Sequence, residues 1–256
     1  MPDLAEVEWD LLPPHPLPAH VQMALDEVLL MQAAEGRRRP TLRFWEWADR
    51  ALVLGSHQVA ENEIDLEAAS AGGFVVARRM SGGGTMILEP GRSITYSLYA
   101  PESVVAGMSY VASFAFLDAW VVDCLRALGV PASYRPINDI VSPEGKIGGA
   151  AQARRRRWLL NHTGIAFQMD PACVPRLIRI GRQPVSPRGV RSAEKVVSPL
   201  SRWTDLDRDT MVDRLRDWFA ARHRTREARL LPEELAQARK LAATKYATPQ
   251  WLDRLL

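Results

Sequence analysis

Residues 78–85 read Arg-Arg-Met-Ser-Gly-Gly-Gly-Thr and lie between two strand-like runs. Three consecutive glycines cost conformational entropy, so they are used where backbone must approach a ligand or turn successive N–H groups toward an anion. The two arginines can fork onto a phosphate or a carboxylate. A plain hairpin turn with exposed arginines is the alternative. The stretch fits neither the P-loop nor the dinucleotide-binding fingerprint. The predicted substrate- and nucleotide-binding residues here are Arg79, Ser81, Gly82, Gly83, Gly84 and Thr85.

A second glycine-rich stretch, Gly-Lys-Ile-Gly-Gly-Ala-Ala-Gln at residues 145–152, follows an Asn-Asp pair. Glycines inside a strand pattern indicate that a ligand or another backbone lies against the strand. Lys146 is one of only four lysines in this arginine-rich chain, and its ammonium could stabilise charge developing on a carboxylate or phosphate. An exposed hairpin lysine is the alternative. We predict Lys146 as the catalytic residue, with binding contributed by Asn138, Gly148, Gly149 and Ala150.

Two further polar residues are candidates for the same site. Asp139 could hold Mg²⁺ through one carboxylate while nucleotide phosphates supply other ligands; a turn or capping aspartate is the alternative. His162 lies on a strand next to a glycine. We predict that it is a satisfied core histidine or a pocket-wall histidine rather than a general base, and we include it among the substrate- and nucleotide-binding residues. Residues 154–157 are four arginines, which indicate either a solvated loop or an edge that binds an anion or an acidic partner.

The distribution of apolar residues predicts an α+β fold with a largely antiparallel or mixed sheet flanked by helices. Hairpin-like strand pairs are expected at 42–47 with 51–54, at 85–88 with 93–99, and at 139–141 with 146–152. Further strands are expected at 7–12, 74–79 and 158–168. Helices are expected at 19–34, 64–71, 105–128, 210–222 and 232–245. We expect a single domain over residues 1–256, with a core at about 1–170 and a mostly helical portion at about 171–256.

Composition narrows the class of protein. The 256 residues carry a net charge of +3, which permits an anionic ligand or an acidic partner. No signal peptide or membrane-spanning stretch is visible in the sequence. Two cysteines, Cys124 and Cys173, exclude a disulfide framework and suit a reducing cytoplasm. Nucleic acid is an improbable partner because few aromatic residues interleave with the basic run.

Four motifs in this order resemble the lipoate–protein ligase A family, within the biotin/lipoate ligase and octanoyltransferase superfamily. The motifs are Leu-Gly-Ser-His-Gln at 54–58, the glycine loop at 78–85, Asn-Asp at 138–139 with Gly-Lys-Ile-Gly-Gly-Ala-Ala-Gln at 145–152, and Lys-Tyr-Ala-Thr at 245–248 with Trp251. The resemblance implies the class II synthetase-like catalytic domain of that superfamily. It also implies that ATP, with Mg²⁺, activates lipoate to lipoyl-AMP, and that a lysine of a lipoyl domain then takes the lipoyl group.

The same resemblance implies roles for individual residues. Lys146 would contact the acyl carbonyl and the α-phosphate, and Asp139 would assist the metal and phosphates. Arg79 would lie near the anionic part of the ligand, while residues 81–84 would close over the acyl-adenylate. The sequence departs from the family at Leu88-Glu89, where a His-Asp pair is frequent. It also ends soon after Trp251, where many ligases continue into an accessory domain, so we expect that domain to be absent and a separate accessory subunit to be a possible partner.

Two other functions remain open from the sequence. An octanoyl- or lipoyl-transferase acting from a carrier protein or from preformed lipoyl-AMP shares the motifs, and its cysteine-dependent form needs a well-placed thiolate. A non-catalytic homologue that only binds the ligand is the other alternative, to which the Leu88-Glu89 departure gives weight. Retention of Lys146 and Asp139 favours an enzyme.

Overall fold

A large mixed sheet forms the body of the computed structural model, which describes residues 4–255. Within that range the strands of this sheet are β1 (Glu8–Leu12), β2 (Pro16–Leu17), β3 (Thr41–Trp47), β7 (Ser93–Pro101), β8 (Ser133–Arg135), β9 (Asp139–Ser142), β10 (Gly145–Arg155), β11 (Trp158–Ala166) and β12 (Arg224–Glu227). Their order is β12-β1-β3-β7-β11-β10-β9-β8, with β2 added beside β3. Strand β1 pairs in parallel with β12 and β3, and the pairs from β3 through β8 in that order are antiparallel.

A smaller sheet contains β4 (Arg50–Leu54), β5 (Phe74–Arg78) and β6 (Met86–Leu88) in the order β5-β4-β6. Two of the three predicted hairpins are therefore wrong as pairings, although their strands exist. Strands β3 and β4 lie in different sheets, and so do β6 and β7. The short turns between them suit a hairpin, but an apolar strand can pair with any other apolar strand. The predicted β9–β10 hairpin is confirmed.

Helices cover both faces of the large sheet. The helices are α1 (Ala19–Ala34), α2 (Ala60–Glu63), α3 (Leu66–Ala71), α4 (Tyr110–Ala127), α5 (Val174–Leu177), α6 (Arg208–Ala220), α7 (Pro232–Leu241) and α8 (Pro249–Leu252), with a π-helix at Ala242–Tyr246. Helix α4 packs with α6 on one face, and α1 packs with α7 on the other. Successive strand residues point to opposite faces, so Phe44 joins the α4 side and Trp45 the α1 side.

Two other predictions differ from the structure, and two strands were not predicted. Helix α4 begins at Tyr110 rather than near 105, because Glu102–Val105 forms a 3-10 turn and the Ser109 side chain caps the helix. Strands β8 and β12 are short, half-exposed or exposed, and lack an apolar period, so no sequence pattern indicated them. Residues 179–199, in the portion expected to be mostly helical, contain no helix; we call them the covering segment. No helix between residues 4 and 255 is both long and apolar enough to cross a bilayer.

The core beneath α4 contains a buried carboxyl group. Asp118 Oδ1 accepts hydrogen bonds from the Tyr96 hydroxyl at 2.7 Å, the Thr163 hydroxyl at 2.9 Å and the Asn161 amide at 3.0 Å. Burial nevertheless raises the pKa of Asp118 from 3.8 to about 6, because the loss of hydration outweighs these hydrogen bonds. The folded state therefore binds a proton at this carboxyl that the unfolded chain releases near pH 4.

The pKa of Asp118 predicts a pH-dependent stability. Its contribution is complete below about pH 4 and is lost as pH rises through the folded pKa of about 6. We expect Asp118→Asn to raise the free energy of unfolding at about pH 8, by up to about 3 kcal/mol, and the gain to shrink toward about pH 4. Urea denaturation across this range measures it. The control is Asp123→Asn at an exposed position of the same helix, which reports the effect of the same substitution without loss of a buried carboxyl group. A stability gain from Asp118→Asn that does not vary with pH would contradict the assignment.

Candidate active site

A cavity of about 470 Å³ is bordered by strands of both sheets and by the covering segment. Its volume is in the range of small-molecule sites. One part of its wall is apolar, and another carries charged side chains. Apolar lining residues include Met23, Trp45, Trp47, Val53, Met86, Leu88 and Ile165, and charged ones include Arg79, Asp139, Lys146, Arg191 and Lys195. A long apolar ligand with an anionic end fits this distribution.

The carboxylate of Asp139 lies between two lysine ammonium groups. Lys146 Nζ is 2.8 Å from Oδ1, and Lys195 Nζ is 3.0 Å from Oδ2. Burial alone would raise the pKa of Asp139, but attraction to both lysines and their hydrogen bonds outweigh it, so the pKa is lowered. Lys146 crosses its own strand to reach this carboxylate. A Cβ on Gly149 would lie 2.6 Å from Lys146 Nζ, so the glycine provides the space that the ammonium occupies.

The glycine loop is shaped by Arg79 from within. Its buried guanidinium donates to the carbonyls of Val53 at 3.0 Å, Gly82 at 2.6 Å and Gly84 at 2.8 Å, and to Ser81 Oγ at 3.1 Å. Burial lowers the pKa of Arg79 to about 10, still well above neutral pH. Although Arg79 borders the cavity, its donors are directed at backbone. In this structure Arg79 organises the loop, and a direct contact with an anionic ligand stays a prediction.

A buried polar network connects the glycine loop to α1 and β11. Ser81 Oγ is 2.5 Å from His162 Nε2, and His162 Nδ1 is 2.7 Å from Asp26 Oδ2. A carboxylate only accepts hydrogen bonds, so Nδ1 donates to it and Nε2 accepts from the serine. The order resembles a hydrolytic triad, but Ser81 is buried and does not line the cavity, whereas His162 does. The network therefore holds the loop and orients His162, which lines the cavity; a contribution of His162 to ligand binding stays a prediction. Asp26 was not identified as a site residue from the sequence, since it lies in a helix that carries none of the glycine-rich motifs.

The covering segment is attached to the glycine loop through Ser192. Its Oγ accepts from Thr85 N at 2.9 Å and from Gln58 Nε2 at 3.0 Å. A Cβ on Gly84 would lie 3.1 Å from the same oxygen, so this glycine permits the close contact. The neighbouring Arg191 pairs with buried Glu63 at 3.3 Å. These contacts hold residues 191 and 192 over the cavity, which sequence patterns did not indicate.

The structure brings most of the predicted site residues to one cavity. Ser81 and Gly82 are outside its lining. Asn138 is held to Ala150 twice, because its side-chain amide donates to the Ala150 carbonyl and its own carbonyl accepts from Ala150 N at 2.9 Å. The predicted residues that line the cavity are Arg79, Gly83, Gly84, Thr85, Asn138, Asp139, Lys146, Gly148, Gly149, Ala150 and His162. The run of four arginines, of which Arg154 is half-buried and 155–157 are exposed, is at the far end of β10, about 26 Å along the strand from Lys146, so it is remote from the charged wall.

Residues 18–220 match the family described as the lipoyl protein ligase A/B catalytic domain. The chain belongs to this family. It is 26% identical to the octanoyltransferase LipM of Macrococcus caseolyticus, over 96% of this chain and 99% of that protein.

Two solved structures are similar along nearly their whole length. A lipoate-protein ligase A bound with ATP has 27% identity and a TM-score of 0.80, covering 97% of this chain and 100% of that one. A bipartite lipoate protein ligase from Thermoplasma acidophilum, described with its E2 lipoyl domain, has 25% identity and a TM-score of 0.80, covering 98% of each chain. The α+β fold and the family resemblance are thereby confirmed.

The motif at residues 245–248 with Trp251 attaches the C-terminal helices to the rest of the domain. Trp251 Nε1 donates to the Arg78 carbonyl at 2.9 Å, and Arg78 Nε donates to the Leu252 carbonyl at 3.0 Å. Lys245 pairs with Glu27 at 2.6 Å and lies over the Trp251 ring. These contacts fix the C-terminal helices against the start of the glycine loop. At the departure from the family motif, Glu89 is buried and accepts from Arg50 Nε at 2.9 Å, which gives it a structural partner.

The residues around Asp139 do not fit a metal site built by the protein. Both carboxylate oxygens are engaged by lysines. Across residues 4–255 no group of three or more histidine, cysteine, aspartate or glutamate side chains is placed to hold a metal ion. A hard cation such as Mg²⁺ prefers several oxygen ligands, and two ammonium groups beside the carboxylate oppose it. The predicted role of Asp139 as a magnesium ligand therefore lacks support in its contacts.

Neither cysteine is placed for chemistry in the cavity. Cys124 is buried on α4 beneath the other face of the sheet, where burial raises its pKa to about 11. Cys173 is buried near α5, and burial, followed by nearby Glu89 and Asp170, raises its pKa as well. Only the thiolate is a good nucleophile. Both thiols are therefore poor nucleophiles at neutral pH, and neither borders the cavity.

The raised thiol pKa values predict slow alkylation. In the folded protein at neutral pH we expect Cys124 to react with iodoacetamide on the order of a hundredfold more slowly than a free thiol, because less thiolate is present and access is poor. Cys173 should also be slow. Mass spectrometry of intact protein over time measures both, and unfolding in urea should expose two equally fast thiols. Cys124→Ser and Cys173→Ser single variants assign the signals. Rapid labelling of either residue in the folded protein would contradict the prediction.

Proposed function

We propose that this chain is an ATP-dependent lipoate–protein ligase. It would activate lipoate to lipoyl-AMP and transfer the lipoyl group to a lysine of a lipoyl domain. The observation that carries the proposal is the lining of the cavity. Much of the lining is apolar, one part of it carries the ammonium groups of Lys146 and Lys195, and no cysteine among the described residues belongs to it. Such a cavity supplies cations for an activated carboxylate but no nucleophile for an acyl-thioester.

The apolar wall suits an acyl chain. Trp45, Trp47 and Met86 provide large apolar surfaces, whose contact with the chain removes apolar area from water at roughly 25 cal/mol per Å². Space is restricted at Gly164, where a Cβ would lie 2.8 Å from Met86 Cε. The acyl chain would occupy this region with its carboxylate toward Lys146.

Lys146 is placed to act in both steps. In the first, a carboxylate oxygen of lipoate attacks the α-phosphorus of ATP, and the bond to pyrophosphate breaks. In the second, the amine of the acceptor lysine attacks the acyl carbon, AMP leaves with the bonding electrons, and the nitrogen loses a proton. Negative charge develops on oxygen in each step, and the Lys146 ammonium can stabilise it without reorganisation. The glycine loop and covering segment would limit access of water to the anhydride.

An octanoyl- or lipoyl-transferase is the second candidate, favoured by the similarity to a LipM octanoyltransferase. A covalent route needs a nucleophile near the acyl carbonyl, and both cysteines are buried, outside the cavity lining, with raised pKa values. A transferase that uses preformed lipoyl-AMP needs no thiol and remains compatible with the geometry. A homologue that only binds ligand is disfavoured by the Lys146–Asp139 pair in the cavity.

Partners and location follow from the same proposal. We propose a lipoyl domain as acceptor and a second ligase subunit as a partner for adenylation, since the similar Thermoplasma ligase is bipartite and is described with its E2 lipoyl domain. The Arg154–Arg157 run, exposed at residues 155–157, offers positive charge for an acidic partner. A cytoplasmic location suits two free cysteines.

The choice of acyl donor tests the function. We expect the purified chain to lipoylate a lipoyl domain from lipoyl-AMP, and from lipoate plus ATP once its partner subunit is supplied, with pyrophosphate released. The mass shift of the acceptor and pyrophosphate release are measured together, with octanoyl carrier protein as the competing donor. The Cys124→Ser, Cys173→Ser double variant is the control and should retain activity. Transfer only from the octanoyl carrier, lost in that variant with an acyl-thioester trapped, would establish the transferase instead. Equal, fast rates from both lipoyl donors by the chain alone would exclude the second subunit.

Lys146 and Gly149 form a second test. We expect Lys146→Met to lower transfer from lipoyl-AMP by roughly 10²–10³-fold, as for loss of one electrostatic donor, and Lys146→Arg to restore it incompletely. Gly149→Ala should also reduce transfer, because its Cβ would occupy the place of the ammonium. Since that effect acts through Lys146, the double variant should be little worse than Lys146→Met alone. Transfer rates of the wild type, Lys146→Met, Gly149→Ala and the double variant form a double-mutant cycle. Fully additive losses in that cycle, or near-normal transfer by Lys146→Met, would contradict this account.

A further inference from the structure

A second lysine reaches the same carboxylate as Lys146 from the opposite side. Lys195 belongs to the covering segment, lines the cavity, and holds its ammonium 3.0 Å from Asp139 Oδ2. The family motifs do not include this residue, and its stretch of sequence shows no glycine run or strand period. Its position becomes apparent only when the covering segment lies over β10.

The backbone around Lys195 is held by Lys146 itself. Lys146 N donates to the Val196 carbonyl at 2.8 Å, and Ser198 N donates to the Lys146 carbonyl at 2.8 Å. This approach requires a glycine at position 145, where a Cβ would lie 2.5 Å from the Val196 oxygen. Two backbone hydrogen bonds thus fix the two lysines relative to each other. Their shared contact with Asp139 is therefore held in place by the backbone and not only by the side chains.

The charges leave one positive unit at this wall. Two ammonium groups face one carboxylate, and the side chains of Lys146 and Lys195 are 22% and 39% exposed, so both are accessible from the cavity. The other cation of the covering segment that lines the cavity is already engaged, because Arg191 pairs with Glu63 and donates to the carbonyls of Arg179 and Arg182. An oxyanion entering the cavity would therefore meet Lys195 as its second available cation.

We propose that Lys195 is a second anion-binding residue of the site, which together with Lys146 holds the oxyanion at the reactive end of the acyl substrate. Asp139 positions both ammonium groups, one at each of its carboxylate oxygens. The inference rests on the proposed function for the identity of the ligand, and it adds a residue that ties ligand binding to the position of the covering segment. The oxyanion is a carboxylate before activation and a phosphate afterwards, and the test separates these two.

The experiment measures binding rather than turnover, by calorimetry with lipoate, neutral lipoamide and AMP. We expect Lys195→Met to weaken lipoate, AMP or both by about ten- to a hundredfold, the value of one hydrogen bond to a charged group, and to leave lipoamide within about twofold. Weakening of lipoate alone identifies the carboxylate, and weakening of AMP alone identifies the phosphate. Lys195→Arg should recover part of the affinity. Lys240→Met, at an exposed position on α7, is the matched control and should change none of the three.

Other results overturn the proposal. Equal weakening of lipoamide and lipoate would show that Lys195 only supports the fold of the segment, and unchanged affinities for all three ligands would show that it contacts none. The thermal midpoint of each variant reports on folding separately. A wild-type chain that binds lipoate but never consumes ATP would overturn the proposed function alone, while the lipoate and lipoamide comparison would still decide the role of Lys195. A wild-type chain that binds none of the ligands would overturn both.

Discussion

The ion pair between Lys146 and Asp139 is the contact on which the charged wall of the cavity depends. It joins β10 to β9 across a register shift between Lys146 and Gly148, and the ammonium occupies the space that a side chain at Gly149 would take. The covering segment adds Lys195 to the same carboxylate. Two lysines and one aspartate from three parts of the chain therefore form one electrostatic unit with a net positive charge.

A second buried carboxylate organises the opposite side of the glycine loop. Asp26 accepts from Ser97 Oγ at 3.1 Å and from Arg43 Nη1 at 3.3 Å, besides its contact with His162. A buried charge must be paired and hydrogen-bonded to be tolerated, and here the partners come from β3, β7 and β11. The result is a rigid wall that places His162 against the cavity and holds Ser81 out of it. Two sets of contacts thus hold the glycine loop: the hydrogen bonds of Arg79 to the loop carbonyls, and the hydrogen bond of Ser81 to His162 in this network.

The family includes proteins named as ligases and as transferases, and the shared fold does not separate them. Chemistry depends on the groups at the acyl end of the cavity. In this chain those groups are cations and a carboxylate, and the two thiols lie elsewhere with their pKa values raised. Stabilisation of an acyl phosphate by fixed ammonium groups is consistent with that arrangement, whereas a thioester intermediate would require a nucleophile that the cavity wall lacks.

The amino-acid sequence by itself determined the α+β class, the β9–β10 hairpin, the bounds of α1 and the two glycine-rich stretches that meet at the cavity. These features depend on local patterns: glycine runs, apolar periods and turn residues. Tertiary structure alone decided how β3, β4, β6 and β7 divide between two sheets, because apolar strands do not encode their partners locally. It also decided that Arg79 serves the loop backbone, and that Asp26 and Lys195 belong to the site. Their roles arise from contacts between residues far apart in sequence, and the local sequence around a charged residue does not specify its distant partner.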